Sequence, residues 1–261
     1  MMRPIVALAQ RELVRFFRQP HRVVGSLAQP LLFWLFLGSG FSASFRPPGL
    51  SGMSYLEYFY PGILLMLLLF SGIFSTITLI EDRNQGLLQG VLVAPVPRMA
   101  IVLGKVAGSM GVALLQVALL LLAIPWLGLQ LGWSEAVLLL AGLLLATLGF
   151  TTLGFLIAWN LESTAGFHAI MSVFLMPLWL LSGALFPMDH TPNWLQLVMQ
   201  INPVSHALRL IRLPFYQSSS TLLQLPEYQL ALLVTLLWAA VCLAAALWQV
   251  RRMERGAPII P

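Results

Sequence analysis

The residues that could carry acid–base, metal or nucleophilic chemistry are few in this chain and do not fall into catalytic spacings. None of the four histidines stands in the HExxH pattern of a zinc site. Gly104 and Lys105 are similar to the end of a phosphate loop. However, Met99 stands in place of the first glycine and Val106 in place of the Ser or Thr. The single cysteine, Cys242, lies in an apolar run, which favours packing over a disulfide or a metal ligand. The sequence therefore predicts no catalytic site and no bound metal or cofactor.

Ion-coupled transport is disfavoured by where the carboxylates fall. A proton or sodium relay needs ionisable groups at membrane depth. The following glutamates all lie at the ends of apolar runs or in loops: Glu57, Glu81, Glu135, Glu162 and Glu227. The sequence therefore predicts no side chain in the middle of a span that would bind a coupling ion.

The elements that position these residues are transmembrane helices. Hydrophobic residues make up 59% of the 261 residues and charged residues 9%, against roughly 25% charged in a soluble domain. Continuous apolar runs, unlike alternating ones, favour helices over barrel strands. We predict an all-α polytopic membrane protein whose single transmembrane domain, residues 23–250, has six spans. They are 23–41, 59–80, 106–126, 136–159, 167–186 and 229–250, each long enough for a hydrocarbon core of about 30 Å.

The basic residues predict the orientation. If the N-terminus is cytoplasmic, the inner segments hold 11 of the 14 Lys and Arg residues and the outer segments 3, which is a positive-inside bias. Both termini, including the tail 251–261, are then expected on the cytoplasmic side of the cell (inner) membrane. The basic leader of 22 residues is longer than that of a cleavable signal, so the first span is expected to stay attached. The topology accounts for the net charge of +5 without nucleic acid. The inner residues are Arg3, Arg11, Arg15, Arg18, Arg22, Arg83, Arg98, Lys105, Arg251, Arg252 and Arg255, and the outer ones are Arg46, Arg209 and Arg212.

Residues 1–22 have the pattern of an amphipathic helix that lies in the membrane interface. One side gathers apolar residues and the other gathers Arg11, Arg15 and Arg18. Pro20 is expected to end the helix. Such a helix serves as a membrane anchor, as a docking surface for a cytoplasmic partner, or as both. The apolar side consists of Ile5, Val6, Ala9, Leu13, Phe16 and Phe17.

A second short helix is predicted between the second and third spans, at about residues 82–93. Asp82 and Gln85 have the spacing of a capping box. Gly86 and Gly90 are four residues apart and therefore share one face, where a partner's backbone could approach. A ridge of apolar residues lies beside them, namely Leu87, Leu88, Val91 and Leu92, and Pro95 with Pro97 ends the helix. The pattern fits a helix that enters a partner's groove, and it fits equally a helix folded onto the membrane surface.

Two stretches of this sequence resemble the ABC-2 type permeases, the membrane subunits of ABC exporters. The run GLLQGVLVAPVPRMAIVLGK is similar to the family's cytoplasmic loop, with Leu87, Gln89, Ala94 and Pro97 in place of its Thr, Glu, Thr and Ser. The positions that match the family are Glu81, Gly86, Leu88, Leu92, Val93, Pro95, Val96, Arg98, Leu103, Gly104 and Lys105.

The second stretch, LSGALFPMDHTPNWLQLVMQINPVSHALRLIR, is similar to the family's exit from the fifth span. Its own pattern predicts short outer re-entrant helices at about 192–212, because Asn202 and Pro203 suit a helix cap and first position. These helices would close the outer end of a path or merely cover the surface. The matching residues are Ser182, Gly183, Phe186, Pro187, Pro192, Trp194, Leu195, Gln196, Asn202, Pro203 and Arg212.

The resemblance implies a permease that works as a homodimer or a close heterodimer with separate ABC ATPase subunits, which would bind ATP and Mg. It also implies contact with membrane lipid, no nucleic acid, and export of a lipophilic or amphipathic molecule such as a drug or lipid. Export of a polysaccharide or other cargo, or a non-transporting role in lipid interaction, remain the alternatives. The residues it assigns to ATPase coupling are Glu81, Asp82, Arg83, Gly86, Leu87, Leu88, Gly90, Leu92, Pro95 and Arg98. Those it assigns to an outer gate are Phe186, Pro187, Trp194, Asn202, Pro203 and Arg212.

Overall fold

The computed structural model describes residues 2–42, 54–93, 96–188 and 191–256, and within these ranges the chain is helical with no strand. The predicted all-α membrane fold is confirmed. Its helices are α1 (Met2–Phe17), α2 (Pro20–Ser42), α3 (Tyr55–Ser75), α4 (Thr78–Asn84), α5 (Leu87–Val93), α6 (Arg98–Leu121), α7 (Trp133–Asn160), α8 (Thr164–Leu180), α9 (Asn193–Ile201), α10 (Pro203–Arg212), α11 (Ser219–Leu222) and α12 (Pro226–Gly256).

Five stretches of helix in the described ranges are long and apolar enough to span a membrane: Pro20–Phe41, Tyr55–Asn84, Arg98–Leu121, Trp133–Asn160 and Pro226–Arg252. The expected fifth span is the shorter helix α8, which ends at Leu180 rather than at residue 186. The third spanning helix begins at Arg98, eight residues before the predicted 106. Lys105 therefore lies inside this helix, not at its border.

Helix α3 forms the centre of the bundle. In the most apolar 18-residue stretch of its spanning segment, 83% of the residues are buried inside the protein, against 17% for α2 and 28% for the last helix. Helices α2, α6, α7 and α10 pack around it. A small residue allows α7 to approach α3 closely, because a Cβ added at Gly154 of α7 would lie 2.9 Å from the Cα of Ile73 in α3. Gly154 therefore serves helix packing, as is common for small residues in membranes.

The N-terminal helix packs along α6. A Cβ added at Gly104 or at Gly108 would lie 2.7 Å from the Cβ of Leu8 or Glu12, respectively. Both of its predicted sides contact the bundle in part: Phe16 is buried whereas Phe17 is exposed, and Arg11 and Arg15 face carboxylates. A helix pattern alone does not distinguish a bilayer surface from a neighbouring helix.

The segment after the second span is two helices and not the single helix 82–93. Helix α4 ends at Asn84 and α5 begins at Leu87, and between them Gly86 has a φ of 74°. This left-handed conformation suits glycine and commonly ends a helix. The capping box predicted at Asp82 is therefore wrong, since Asp82 lies within α4. Pro95 and the side chain of Leu92 lie outside the described residues.

Candidate functional site

Asp82 is the centre of a buried ion cluster that joins α1, α4 and α6. Its carboxylate accepts two hydrogen bonds from the Arg11 guanidinium, at 2.7 and 3.0 Å, and one from Arg15 at 2.9 Å. The ammonium of Lys105 donates to the same carboxylate. Only 2% of the Asp82 side chain is exposed. Three cations from two helices thus hold one carboxylate on a third.

Two further carboxylates complete the cluster. Glu12 accepts from Lys105 at 2.5 Å, and Glu81 accepts from Arg15 at 2.6 Å. The cluster therefore contains three formal positive charges, those of Arg11, Arg15 and Lys105, and three formal negative ones. Its formal charge is zero. The hydrogen bond to Asp82 raises the pKa of Arg11, which keeps this guanidinium charged.

Burial explains why the cluster is balanced. A charge moved out of water costs several kcal/mol unless a partner and hydrogen bonds compensate it. The side chains of Lys105 and Glu12 are only 5% and 4% exposed, so neither has an alternative partner in solvent. Removing Lys105 leaves Glu12 buried without a charged partner, and removing Asp82 takes away the carboxylate that Arg11, Arg15 and Lys105 share. The cluster fixes the relative positions of α1, α4 and α6.

Helix α4 is also tied to the turn between α7 and α8. The Arg83 guanidinium donates to the backbone oxygens of Trp159, at 2.7 Å, and Leu161, at 3.0 Å. It lies 5.6 Å from the centroid of the Trp159 ring, within cation–π range. Asn84 donates to the backbone oxygen of Glu162 at 3.2 Å. Helix α4 is thus anchored on two sides of the bundle.

Helix α5 projects from this anchored base. Leu88 is 5% exposed and fastens the helix inward, whereas Leu87 is 48% and Val93 86% exposed. A Cβ added at Gly90 would meet no atom within 4 Å. The exposed side therefore has apolar side chains next to a bare stretch of backbone. A partner could pack closely against it.

The residues assigned to coupling thus fall into separate groups. Glu81 and Asp82 belong to the ion cluster, and Arg83 binds the α7–α8 turn. Gly86, Leu87 and Gly90 lie on the exposed side of the α5 segment, and Leu88 is beneath it. Arg98 is the first residue of α6.

Sequence reasoning missed four partners in the cluster: Arg11, Glu12, Arg15 and Lys105. The arginines were explained by topology, and Lys105 was placed at the edge of a span. One signal was present in the sequence. Gly104 and Gly108 form a small-xxx-small pair, which marks close helix packing in membranes. Such a pair beside a lysine in an apolar run indicates that a neighbouring helix supplies the countercharge.

The other end of the bundle has its own polar contacts. The Arg212 guanidinium lies 4.5 Å from the centroid of the Tyr58 ring and donates to the backbone oxygen of Ala184 at 3.4 Å. Asn202 caps α10, as the Asn-Pro pair predicts: its Oδ1 accepts from the Val204 amide at 3.0 Å, and its Nδ2 donates to the Leu178 oxygen at 2.7 Å. Helix α10 is therefore fastened to the end of α8.

The residues assigned to the outer gate are not all together. Arg212 and Asn202 make the buried contacts, and Pro203 is the first residue of α10. Phe186 and Pro187 are partly buried in the turn after α8. Trp194 is 68% exposed on α9, so it lies apart from the contacts that fasten α10.

His206 of α10 is 5% exposed, and its Nε2 lies 2.9 Å from the backbone oxygen of Gln200. Burial lowers the pKa of His206 below its ordinary value of 6.5. Burial also raises the pKa of Tyr216, just after α10, to about 12. Both side chains are therefore neutral at pH 7.

The fold and these two ends define a polytopic α-helical membrane protein with an exposed helix set on a buried ion cluster. The chain belongs to the ABC-2 type transporter family, whose sequence model matches residues 3–216. Members of this family are membrane components of ABC transporters and associate with an ATPase subunit. The chain is accordingly an integral membrane protein of a transport system.

Three relatives illustrate the range of similar proteins. A putative transport permease, ycf38, of Cyanophora paradoxa is 31% identical over 218 residues, covering 82% of this chain and 75% of the relative. The probable multidrug ABC transporter permease YbhR of Escherichia coli strain K12 is 31% identical over 135 residues, 51% of this chain and 36% of the relative. Nodulation protein J of Sinorhizobium fredii is 26% identical over 192 residues, 73% of this chain and 72% of the relative.

Proposed function

We propose that this chain is the permease subunit of an ATP-driven exporter, in which two copies form the translocation path and separate ATPase subunits bind α5 and α1. ATP and Mg are bound by those subunits and hydrolysis occurs there. The cargo is lipophilic or amphipathic, such as a drug or lipid. The single observation that carries the proposal is the exposed helix α5, anchored through α4 to the buried ion cluster.

Anchoring matters because a coupling element has to move other helices when it is pushed. A flexible loop would absorb a displacement of a bound ATPase. Here α4 contacts α1 and α6 through charged hydrogen bonds and α7 through Arg83. A push on α5 would therefore move the ends of these helices together, which supports a role in transmitting force.

The cytoplasmic orientation of this end is supported by the grouping of basic residues. Arg11, Arg15, Arg83 and Lys105 meet around α4. In the last helix, Arg251 contacts Met99 at the start of α6, at 2.8 Å. The end of the bundle that presents α5 therefore holds a group of Lys and Arg residues, and the positive-inside rule places an excess of such residues in the cytoplasm.

The proposed dimer and cargo fit the surface of the spans. Helices α2 and α8 expose large apolar side chains, among them Phe36 at 71% and Val173 at 67%. Such faces would pack against a second copy or against membrane lipid. The sequence similarity to a probable multidrug permease and to nodulation protein J favours no single cargo. The exposed apolar faces of the spans favour a lipophilic or amphipathic one.

A steric block on α5 tests the proposal. Gly90→Trp places an indole where the added Cβ meets no atom of this chain, so we expect normal insertion and expression. Co-purification with the co-expressed candidate ABC ATPase of the same genome, and transport into vesicles by the pair, should both be lost. Gly40→Trp is the matched control, because Gly40 is equally open but lies near the other end of α2. Full ATPase binding and transport by Gly90→Trp would contradict the coupling role of α5.

A further inference from the structure

A polar cavity of about 400 Å³ lies beside the ion cluster, between α2, α3 and α6, and the ends of α1 and α8 close its sides. Its volume is in the range of small-molecule sites. The wall includes Phe16, Arg22, Gly25 and Glu81 at the end of the bundle that carries α5, and it reaches Gln116 in α6. The cavity therefore extends from the proposed cytoplasmic surface into the level of the spans.

The lining is polar where an apolar surface would be expected. Gln116 is 0% exposed, and its Nε2 donates to Ser26 at 2.9 Å while its Oε1 has no hydrogen-bond partner. A buried acceptor without a partner costs about 1–3 kcal/mol. Gln29 of α2 lies on the same wall and is exposed within a spanning helix. Amides in these positions are stabilised when water or another polar molecule occupies the cavity and supplies the missing partner.

The charge of the wall selects the kind of polar molecule. Arg22 and Glu81 give one positive and one negative formal charge, and both have partners: Arg22 donates to the Phe74 oxygen at 3.1 Å, and Glu81 accepts from Arg15. The imidazoles of His21 and His168 are the remaining titratable groups on the wall. No excess of one sign is present to attract a strongly anionic or cationic head group. The unpartnered oxygen of Gln116 requires a donor.

We propose that this cavity binds the head group of an amphipathic molecule, that the head group is uncharged and carries hydroxyl donors, and that Gln116 accepts one of its hydrogen bonds. The inference rests on the proposed transport function for its meaning, because a cavity open toward the cytoplasmic side would load cargo for export. The alkyl part of the molecule lies along the exposed apolar face of α2, which includes Leu32 and Phe36. Glu81 belongs to both the cavity wall and the ion cluster, so the site adjoins the coupling helices.

Photolabelling tests binding without the ATPase. The full chain is extracted with a styrene–maleic acid copolymer, so that no glycoside detergent is present, and is exposed to dodecyl glucoside with a diazirine at the start of its alkyl chain. Dodecyl phosphate and dodecyltrimethylammonium with the same diazirine serve as anionic and cationic comparisons. We expect saturable labelling of cavity residues in α2, α3 and α6 by the glucoside, and at least fivefold weaker labelling by the two charged probes.

Two pairs of variants assign the binding to the cavity. Gln116→Leu removes the acceptor and should weaken glucoside binding about fivefold to tenfold, the value of one hydrogen bond. Gln249→Leu is its control, since the Oε1 of Gln249 also lacks a partner but lies outside the cavity. Gly25→Leu fills open space in the cavity and should abolish labelling, whereas Gly40→Leu, equally open on the same helix, should not.

The outcomes separate this inference from the proposed function. Gly90→Trp should bind the glucoside normally even where it loses the ATPase, so a failure of coupling leaves the binding result intact. Equal labelling by all three probes, labelling outside the cavity, or equal binding by Gln116→Leu and Gln249→Leu overturns the inference. If Gln116→Leu fails to fold, the pair Gly25→Leu and Gly40→Leu decides, and equal labelling of these two also overturns it.

Discussion

Asp82→Asn tests the buried ion cluster, because it removes one formal charge while keeping the shape of the side chain. The cluster changes from three positive and three negative charges to three and two. Lys105, whose side chain is 5% exposed, keeps only Glu12 as a charged partner. Arg11 is 36% exposed and recovers part of its hydration. Breaking a buried pair costs about 3–5 kcal/mol, and the exposure of Arg11 places this variant at about 3 kcal/mol.

The assay is thermal unfolding of the purified full chain, with Arg18→Gln as the control for loss of one charge. Arg18 lies on the exposed side near the end of α1, so its variant should unfold close to the wild-type temperature. Asp82→Asn should unfold at a clearly lower temperature and lose ATPase-coupled transport. Equal melting temperatures for the two variants would refute the reasoning that the cluster holds α1, α4 and α6 together.

A double variant shows whether charge balance is the cause. Lys105→Met alone leaves two positive and three negative charges, and it should destabilise the protein like Asp82→Asn. Together the two changes restore balance at two and two, and neither charge of the Lys105–Asp82 pair is then left without the other, although Glu12 loses its partner Lys105. The double variant should therefore be less destabilised than the sum of the single ones. A loss that equals the sum would mean that the groups act independently.

Three further predictions follow from the two ends of the bundle. In a cysteine-free background, Ser220→Cys should react with an impermeant maleimide on intact cells and Gln85→Cys should not; labelling of Gln85→Cys from outside would reverse the proposed orientation. Asn202→Ala removes the cap of α10 and the donor to Leu178, so we expect about 1 kcal/mol of local destabilisation. Expression should stay near normal, and leakage in vesicle flux assays should rise. Unchanged leakage and transport rate would mean that α9 and α10 do not act as a gate. Burial lowers the pKa of His206 below 6.5, so the folded state favours the neutral ring. The stability that the neutral ring contributes is therefore present above about pH 6.5 and is lost as pH falls. The melting temperature should drop between about pH 7 and about pH 5, and His206→Gln should lessen this drop.

Local patterns predicted the helices well because a continuous apolar run of about 20 residues is long enough to cross the membrane only as a helix, whether it faces lipid or other helices. Positions such as Asn202 and Pro203 also carry their own local geometry, which the structure shows as a cap. The break at Gly86 was missed because Asp82 and Gln85 fit the start of a helix. Gln85 followed by Gly86 fits the end of a helix equally well. Short patterns of this kind do not decide between the two ends.

The cluster itself could not be predicted from local patterns, since members that pair with one another are up to 93 residues apart in sequence. The arginines of α1 satisfied both an interfacial helix and the positive-inside rule, so nothing in their spacing required a carboxylate partner. Lys105 was the informative residue. An ammonium well inside a spanning helix needs a countercharge, and the nearby glycines show where another helix approaches.

Glu81 connects the two proposals, because its carboxylate belongs to the ion cluster through Arg15 and to the wall of the polar cavity. A displacement of α5 would be passed to α4 and would change the distance between Glu81 and the cavity residues on α2. Conversely, a bound head group would resist closure of that wall and so bias the position of α4. By linkage, cargo in the cavity and ATPase bound at α5 should then change each other's affinity by the same factor. Equal ATPase affinity with and without saturating dodecyl glucoside would show that the cavity and α5 act independently.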